Sequence, residues 1–157
     1  MSTTTVQNKE QIITKVDEIL DRQVSRDEKL FAICELLDDD VDVFDWVGFY
    51  LVDPEAEREL VLGPYVGEPT DHTRIPFGKG ICGQAAESLE TFVVQDVSKE
   101  DNYLACSIDV KAEIVVPILK DGTLLGELDI DSHTKGSITE DHRDMLEEIC
   151  QKIVKEF

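Results

Sequence analysis

The chain has 157 residues, 41% of them apolar, and a formal net charge of −20. That length suits one domain with a full hydrophobic core. The acidic excess excludes nucleic acid and anionic membranes as partners, because the long-range field repels both, and it leaves a basic or zwitterionic small ligand open.

No run approaches the roughly 20 apolar residues of a membrane span. The start, "MSTTTVQNKEQ", has neither the basic start nor the apolar stretch of a secretory signal. The expected compartment is the cytoplasm, where thiols stay reduced. A salty cytosol would also suit so acidic a chain, but ten lysines against five arginines weaken that reading.

Residues 1–7 read as a flexible tail and 8–157 as a single domain. Ile12, Val16, Ile19 and Leu20 recur at helical spacing, which predicts an amphipathic helix over about 8–23. Ser25 and Glu28 form an S-x-x-E capping pattern before a second helix. That helix carries Leu30, Ile33, Cys34 and Leu37 on one face and ends in the acidic run Asp38–Asp40. "DWVGFYLVD" (45–53) is aromatic and β-branched without helical period, hence a strand. "RELVLGPYVG" (58–67) is its expected hairpin partner, and 68–78 reads as loop. "GKGICGQAAESL" opens on glycines and continues as a short helix. "TFVVQD" (91–96) is a strand, followed by a long loop over about 97–111. "EIVVPILKDGTLLGELDID" (113–131) is a hairpin turning at Asp121-Gly122. Thr139 or Ser137 caps a last helix with Met145, Leu146, Ile149 and Ile153 inward. Hairpins in place of βαβ repeats imply an α+β fold, a central antiparallel sheet with helices packed on it.

None of the four cysteines has the C-x-x-C spacing of a zinc ribbon or thioredoxin motif. Cys34 and Cys150 fall on apolar helix faces and read as inert core. Cys82 stands at a predicted helix start, where the helix terminus, helped by Lys79, would favour thiolate; a packing cysteine in a tight turn is the plain alternative. Cys106 lies in a loop too long for a simple connection; such loops are usually functional or disordered, and an incidental surface thiol is the plain alternative. Cys106 and Cys82 together suggest a nucleophile and a resolving partner.

In "GELDID", Glu127, Asp129 and Asp131 share one strand face. Clustered carboxylates need a cation, a proton or solvent to offset their repulsion. Either they face water at a sheet edge, or they bind an ammonium group. Metal is the weaker option, since His133 is the nearby histidine and "DID" is a poor metal signature. In "DWVGFY", Trp46, Gly48 and Tyr50 share a face. The two aromatics either wall a pocket, with the glycine leaving room for a ligand, or pack a second apolar face.

The stretches "WVGFY", "LVLGPYVG", "RIPFGKGICG", "NYLACSIDVKAEIVVPI" and "LLGELDIDS" resemble the free methionine-(R)-sulfoxide reductase family, single-domain proteins of GAF fold. The likeness runs from about residue 30 to 150. It implies reduction of free L-methionine-(R)-S-oxide to methionine, with Cys106 as catalytic nucleophile and Cys82 as the cysteine of the glycine turn. Trp46 and Tyr50 match pocket aromatics. Glu113, Asp129 and Asp131 match acidic residues that engage substrate, with Glu113 as proton donor. The implied chemistry needs no metal or organic cofactor, only an external dithiol reductant such as thioredoxin, and family members are often homodimers. One departure stands out: the family commonly has a third, resolving cysteine where this chain has His72. Two other readings stay open, a small-ligand-binding GAF module and a thiol redox sensor without turnover.

Overall fold

The structure, a computed structural model, describes residues 2–103 and 109–157, with side chains from residue 9 onward. Cys106 lies outside the described residues. Helices α1 (Ser2–Leu20) and α2 (Arg26–Asp40) precede strands β1 (Trp46–Val52), β2 (Glu59–Val66) and β3 (Arg74–Pro76). Then come α3 (Gly80–Ser88), β4 (Phe92–Val94), β5 (Ala112–Lys120), β6 (Thr123–Ser132) and α4 (Glu140–Ile153). Apart from β3, the order of elements is the one expected from the sequence. Two boundaries differ: α1 is assigned from Ser2 and ends at Leu20, and the stretch expected as loop over 68–78 contains the three-residue β3. Residues 2–7, expected as a tail, belong to α1, and residue 1 lies outside the described residues.

All strand pairs are antiparallel, in the spatial order β3-β2-β1-β6-β5-β4. The β5–β6 hairpin turns at Asp121 (φ 53°) and Gly122 (φ 80°), the left-handed pair that a two-residue hairpin requires. Ser25 Oγ accepts from the Glu28 amide at 3.2 Å, as the capping pattern predicted. Thr139 caps α4, and His142 returns the bond, Nδ1 accepting from the Thr139 amide at 3.0 Å.

Helices α2 and α4 lie against one face of the sheet, and α1 packs on both of them. This is the main core. Val47, Phe49, Leu128 and Ile130 meet Leu30, Ile33 and Leu37 of α2 and Met145, Leu146 and Ile149 of α4, all buried. Cys34 and Cys150 sit here too, buried with their thiols pushed above the ordinary range by burial, which is the inert role expected of them.

The opposite face is covered by α3 and carries a smaller cluster with Tyr50, Val115, Ile81 and Ala85. Register decides what else is there. Asp131 stands opposite Trp46 and Glu113, Asp129 opposite Gly48 and Val115, and Glu127 opposite Tyr50 and Pro117. Directly opposed residues point to the same face. Because β6 is a middle strand, its three acids are buried rather than at a watered edge: Glu127 is 0% exposed, Asp129 1% and Asp131 1%, with Glu113 at 4%. The edge reading of "GELDID" is therefore overturned by topology.

Two consequences for stability follow from this second face. A Cβ on Gly48 would lie 2.5 Å from Trp46 Cη2 and 2.7 Å from Tyr65 Cβ. Gly48→Ala should destabilise the fold by about 1–3 kcal/mol and shift the emission of the single tryptophan, checked by urea unfolding followed by fluorescence. Burial, and then the charge of Asp129, push the Glu127 carboxyl well above the usual range, with the Cys82 thiol opposing. The folded chain thus keeps a proton that the unfolded glutamate gives up near pH 4.3. Stability falls as pH rises from that value through the raised folded pKa. Glu127→Gln should be the more stable chain at neutral pH, on the order of 1 kcal/mol or more, with the gap shrinking towards about pH 5. Parallel denaturation curves from pH 5 to 8 check this; a gap independent of pH would contradict it.

Candidate active site

Helix α3 brings the glycine-flanked cysteine onto the carboxylates. Its first turn rests directly on the preceding backbone. A Cβ on Gly83 would lie 2.7 Å from the Pro76 carbonyl oxygen and 2.9 Å from the Gly78 nitrogen, so only glycine permits this approach. The Gly83 amide donates to Lys79 O at 2.8 Å, and the Gly78 amide donates back to Gly83 O at 2.8 Å. The turn so held points Cys82 at the sheet.

Sulfur of Cys82 and carboxylate oxygens of Glu113 and Asp129 all lie within 4.8 Å of one another. These three, with Tyr50, His72, Lys79 and the start of α3, line a cavity of about 10 Å³, room for about one water. Beyond the Cys82 thiol, both carboxylate oxygens of Glu127 and Oδ1 of Asp129 are buried without a hydrogen-bond partner among the described residues. Burial raises the Asp129 carboxyl, while bonds to Glu113 and Cys82 hold it down in part.

The expectation that Cys82 is a stabilised thiolate is corrected here. The residue is 5% exposed. Burial pushes its thiol well above the ordinary range, and Asp129, Glu127, Glu113 and Asp131 all push the same way. A helix start and Lys79 at the cavity wall do not outweigh four buried acids, since each carboxylate disfavours a second negative charge beside it. Cys82 is a protonated thiol among carboxyl groups.

Trp46 and Tyr50 do share a face beside those acids, with ring centroids 6.4 Å apart. The room expected over Gly48 is taken by the Trp46 indole itself, which stacks on Tyr65 at 5.4 Å. Each ring is fixed by its polar atom: Trp46 Nε1 donates to Glu68 O at 2.9 Å, and Tyr50 Oη donates to His72 O at 2.7 Å. His72 thus meets the site through its backbone and as part of the cavity wall.

Three residues escaped the sequence reading. Asn102 clamps the start of the cysteine loop onto α3: its Oδ1 accepts from the Gly80 amide at 2.9 Å, its Nδ2 donates to Gly78 O at 2.7 Å, and its O accepts from Gln84 Nε2 at 2.9 Å. Its partners Gly80 and Gly78 lie 22 and 24 residues earlier, and no local pattern linked them. Glu127 was seen on the strand face but not placed in the site. Tyr65 lay in the predicted hairpin partner, fifteen residues beyond Tyr50, and nothing local marked it. At the loop's other end Val110 is buried and the Lys111 amide donates to Ser132 O at 2.8 Å. The described residues on either side of Cys106 are therefore tied to the Cys82 helix at one end and to acid-bearing β6 at the other.

The arrangement of one thiol, four acids and two fixed aromatic rings can hold a cationic headgroup and supply protons. The profile described as GAF domain matches residues 23–154. GAF domain-containing protein A of Dictyostelium discoideum is 45% identical over 108 residues, 69% of this chain and 66% of that protein. The free methionine-R-sulfoxide reductase of Saccharomyces cerevisiae is 40% identical over 111 residues, 70% of this chain and 61% of that protein. The matched stretch thus spans less than two thirds of these curated relatives. The X-ray structure of free methionine-R-sulfoxide reductase from Neisseria meningitidis in complex with its substrate superposes with a TM-score of 0.85 at 36% identity, covering 93% of this chain and 85% of that one. The chain belongs to the GAF-domain family, with homologues named free methionine-R-sulfoxide reductase.

Proposed function

We propose that this protein reduces free L-methionine-(R)-S-oxide to L-methionine by thiol chemistry. The observation that carries the reading is the buried carboxylate group of Glu113, Asp129 and Asp131 beside Trp46 and Tyr50. A free amino acid brings an ammonium group, which offsets buried negative charge; a residue inside a peptide does not. The aromatic rings suit the S-methyl end.

Glu113 donates a proton to the sulfoxide oxygen, which makes sulfur electrophilic. The Cys106 thiolate attacks that sulfur. The hydroxyl passes to the Cys106 sulfur as the substrate's S–O bond and the transient S–S bond break; the substrate sulfur keeps an electron pair and leaves as methionine, and Cys106 becomes sulfenic acid. The Cys82 thiol then attacks the Cys106 sulfur. Its proton and the hydroxyl leave as water, and a disulfide forms. An external dithiol of thioredoxin type, in the cytoplasm, exchanges with that disulfide and is itself oxidised. No organic cofactor enters. Asn102 and Val110, which flank Cys106 in sequence, are tied to the Cys82 helix and the acid-bearing sheet, and this supports the pairing. His72, standing where relatives commonly carry a resolving cysteine, leaves Cys82 as the resolving thiol.

A redox-sensor cysteine is accessible and of low pKa. Cys82 is buried with its thiol pushed up, which speaks against the sensor alternative.

The test is turnover of racemic free L-methionine sulfoxide with dithiothreitol, resolved chromatographically by epimer. Loss of the R epimer alone with methionine appearing is expected; no turnover by fully reduced protein would sink the reading. Cys106→Ser should abolish turnover. Asp129→Asn should raise KM about 10- to 100-fold, the worth of one charged hydrogen bond, with a smaller effect on kcat.

A further inference from the structure

The second sheet face gathers four buried carboxyl groups, Glu113, Glu127, Asp129 and Asp131, around the Cys82 thiol. Three ligand-type atoms, Cys82 Sγ and one carboxylate oxygen each from Glu113 and Asp129, converge within 4.8 Å of one another. A tetrahedral ion with ligands at about 2.0–2.3 Å sets its ligand atoms about 3.5 Å apart, so small side-chain movements close this triangle on one ion. The cavity these residues line is about 10 Å³, suited to one small ion or water.

An acidic cluster alone would say little. Here two further observations point at a ligand. Glu127 is 0% exposed, and beyond the Cys82 thiol beside it neither of its oxygens has a hydrogen-bond partner among the described residues. Its neighbours in charge and contact are Asp129 and Cys82, so its headgroup faces the same cluster. Asp129, 1% exposed, likewise keeps Oδ1 without a partner. Buried polar atoms left unsatisfied in a native fold call for a water or an ion.

We propose that Cys82, Glu113 and Asp129 form a binding site for a thiophilic divalent cation, zinc being the best match, with Glu127 as a neighbouring group that orients the ligands. Mixed sulfur and carboxylate donors suit zinc and exclude the hard, oxygen-only preference of magnesium and calcium. Binding takes the proton from Cys82 and replaces a buried S–H with a metal thiolate. The bound ion occupies the carboxylates that the proposed substrate's ammonium group needs, so turnover falls as zinc rises. That last consequence rests on the proposed reaction; binding itself does not.

Cobalt(II) tests binding without substrate. Reduced, metal-free protein titrated with cobalt under argon should develop a thiolate-to-cobalt charge-transfer band saturating at one equivalent, and zinc should bleach it. The band should persist in Cys106→Ser and vanish in Cys82→Ser. Glu127→Gln should weaken cobalt affinity roughly ten- to hundredfold, the range for a partner next to the ligands. A missing band in the unsubstituted protein overturns the proposal whether or not any variant folds. A band that survives Cys82→Ser also overturns it.

Discussion

Four carboxyl groups and one thiol share a dry face in the middle of a β-sheet, and the rest of the molecule is arranged around the repulsion this creates. Isolated charges are not left in such a place; protons, paired charges or ligands must balance them. The cost is borne by the other face of the same strands. Leu128 and Ile130 alternate with the acids along β6 and anchor it against α2 and α4. The acids are held in place by residues that never meet them. This is why the site is built on strands, where a side chain's direction is set by pleat and register, and not on a loop.

Much of the scaffold was legible because its signals are local. Helical spacing at Leu30, Ile33, Cys34 and Leu37 marks the buried face of α2 without any knowledge of its neighbours. Asp121-Gly122 specifies its hairpin through left-handed backbone, again locally. The short strand β3 was hidden because three residues cannot show a period, and because its existence depends on pairing with β2.

The site was legible in outline and misread in its physics, and the reason is topological. "GELDID" has the same alternation whether β6 is an edge strand in water or a middle strand under a helix. Its order between β1 and β5, set by contacts far along the chain, decides between them. The thiol of Cys82 reads as activated if only its helix start is considered and as protonated once the acids of β5 and β6 are placed beside it. Gly48 shows the same limit: an absent side chain reveals that something comes close, and here that something is the indole two residues away rather than a ligand.

A protonated Cys82 beside proton-bearing acids fits a division of labour with Cys106, in which one thiol attacks and the other waits for a sulfenic acid. In that account the carboxylates do two tasks, reading the substrate's free ammonium group and keeping the second thiol neutral until needed. The first of these is the central claim. The most direct measurement compares kcat/KM for free L-methionine-(R)-S-oxide and its N-acetyl derivative, which carries the same sulfoxide without the charge. The account predicts turnover of the free amino acid and almost none of the N-acetyl compound. Equal turnover of both would contradict it, because the buried acids would then have no part in choosing the substrate.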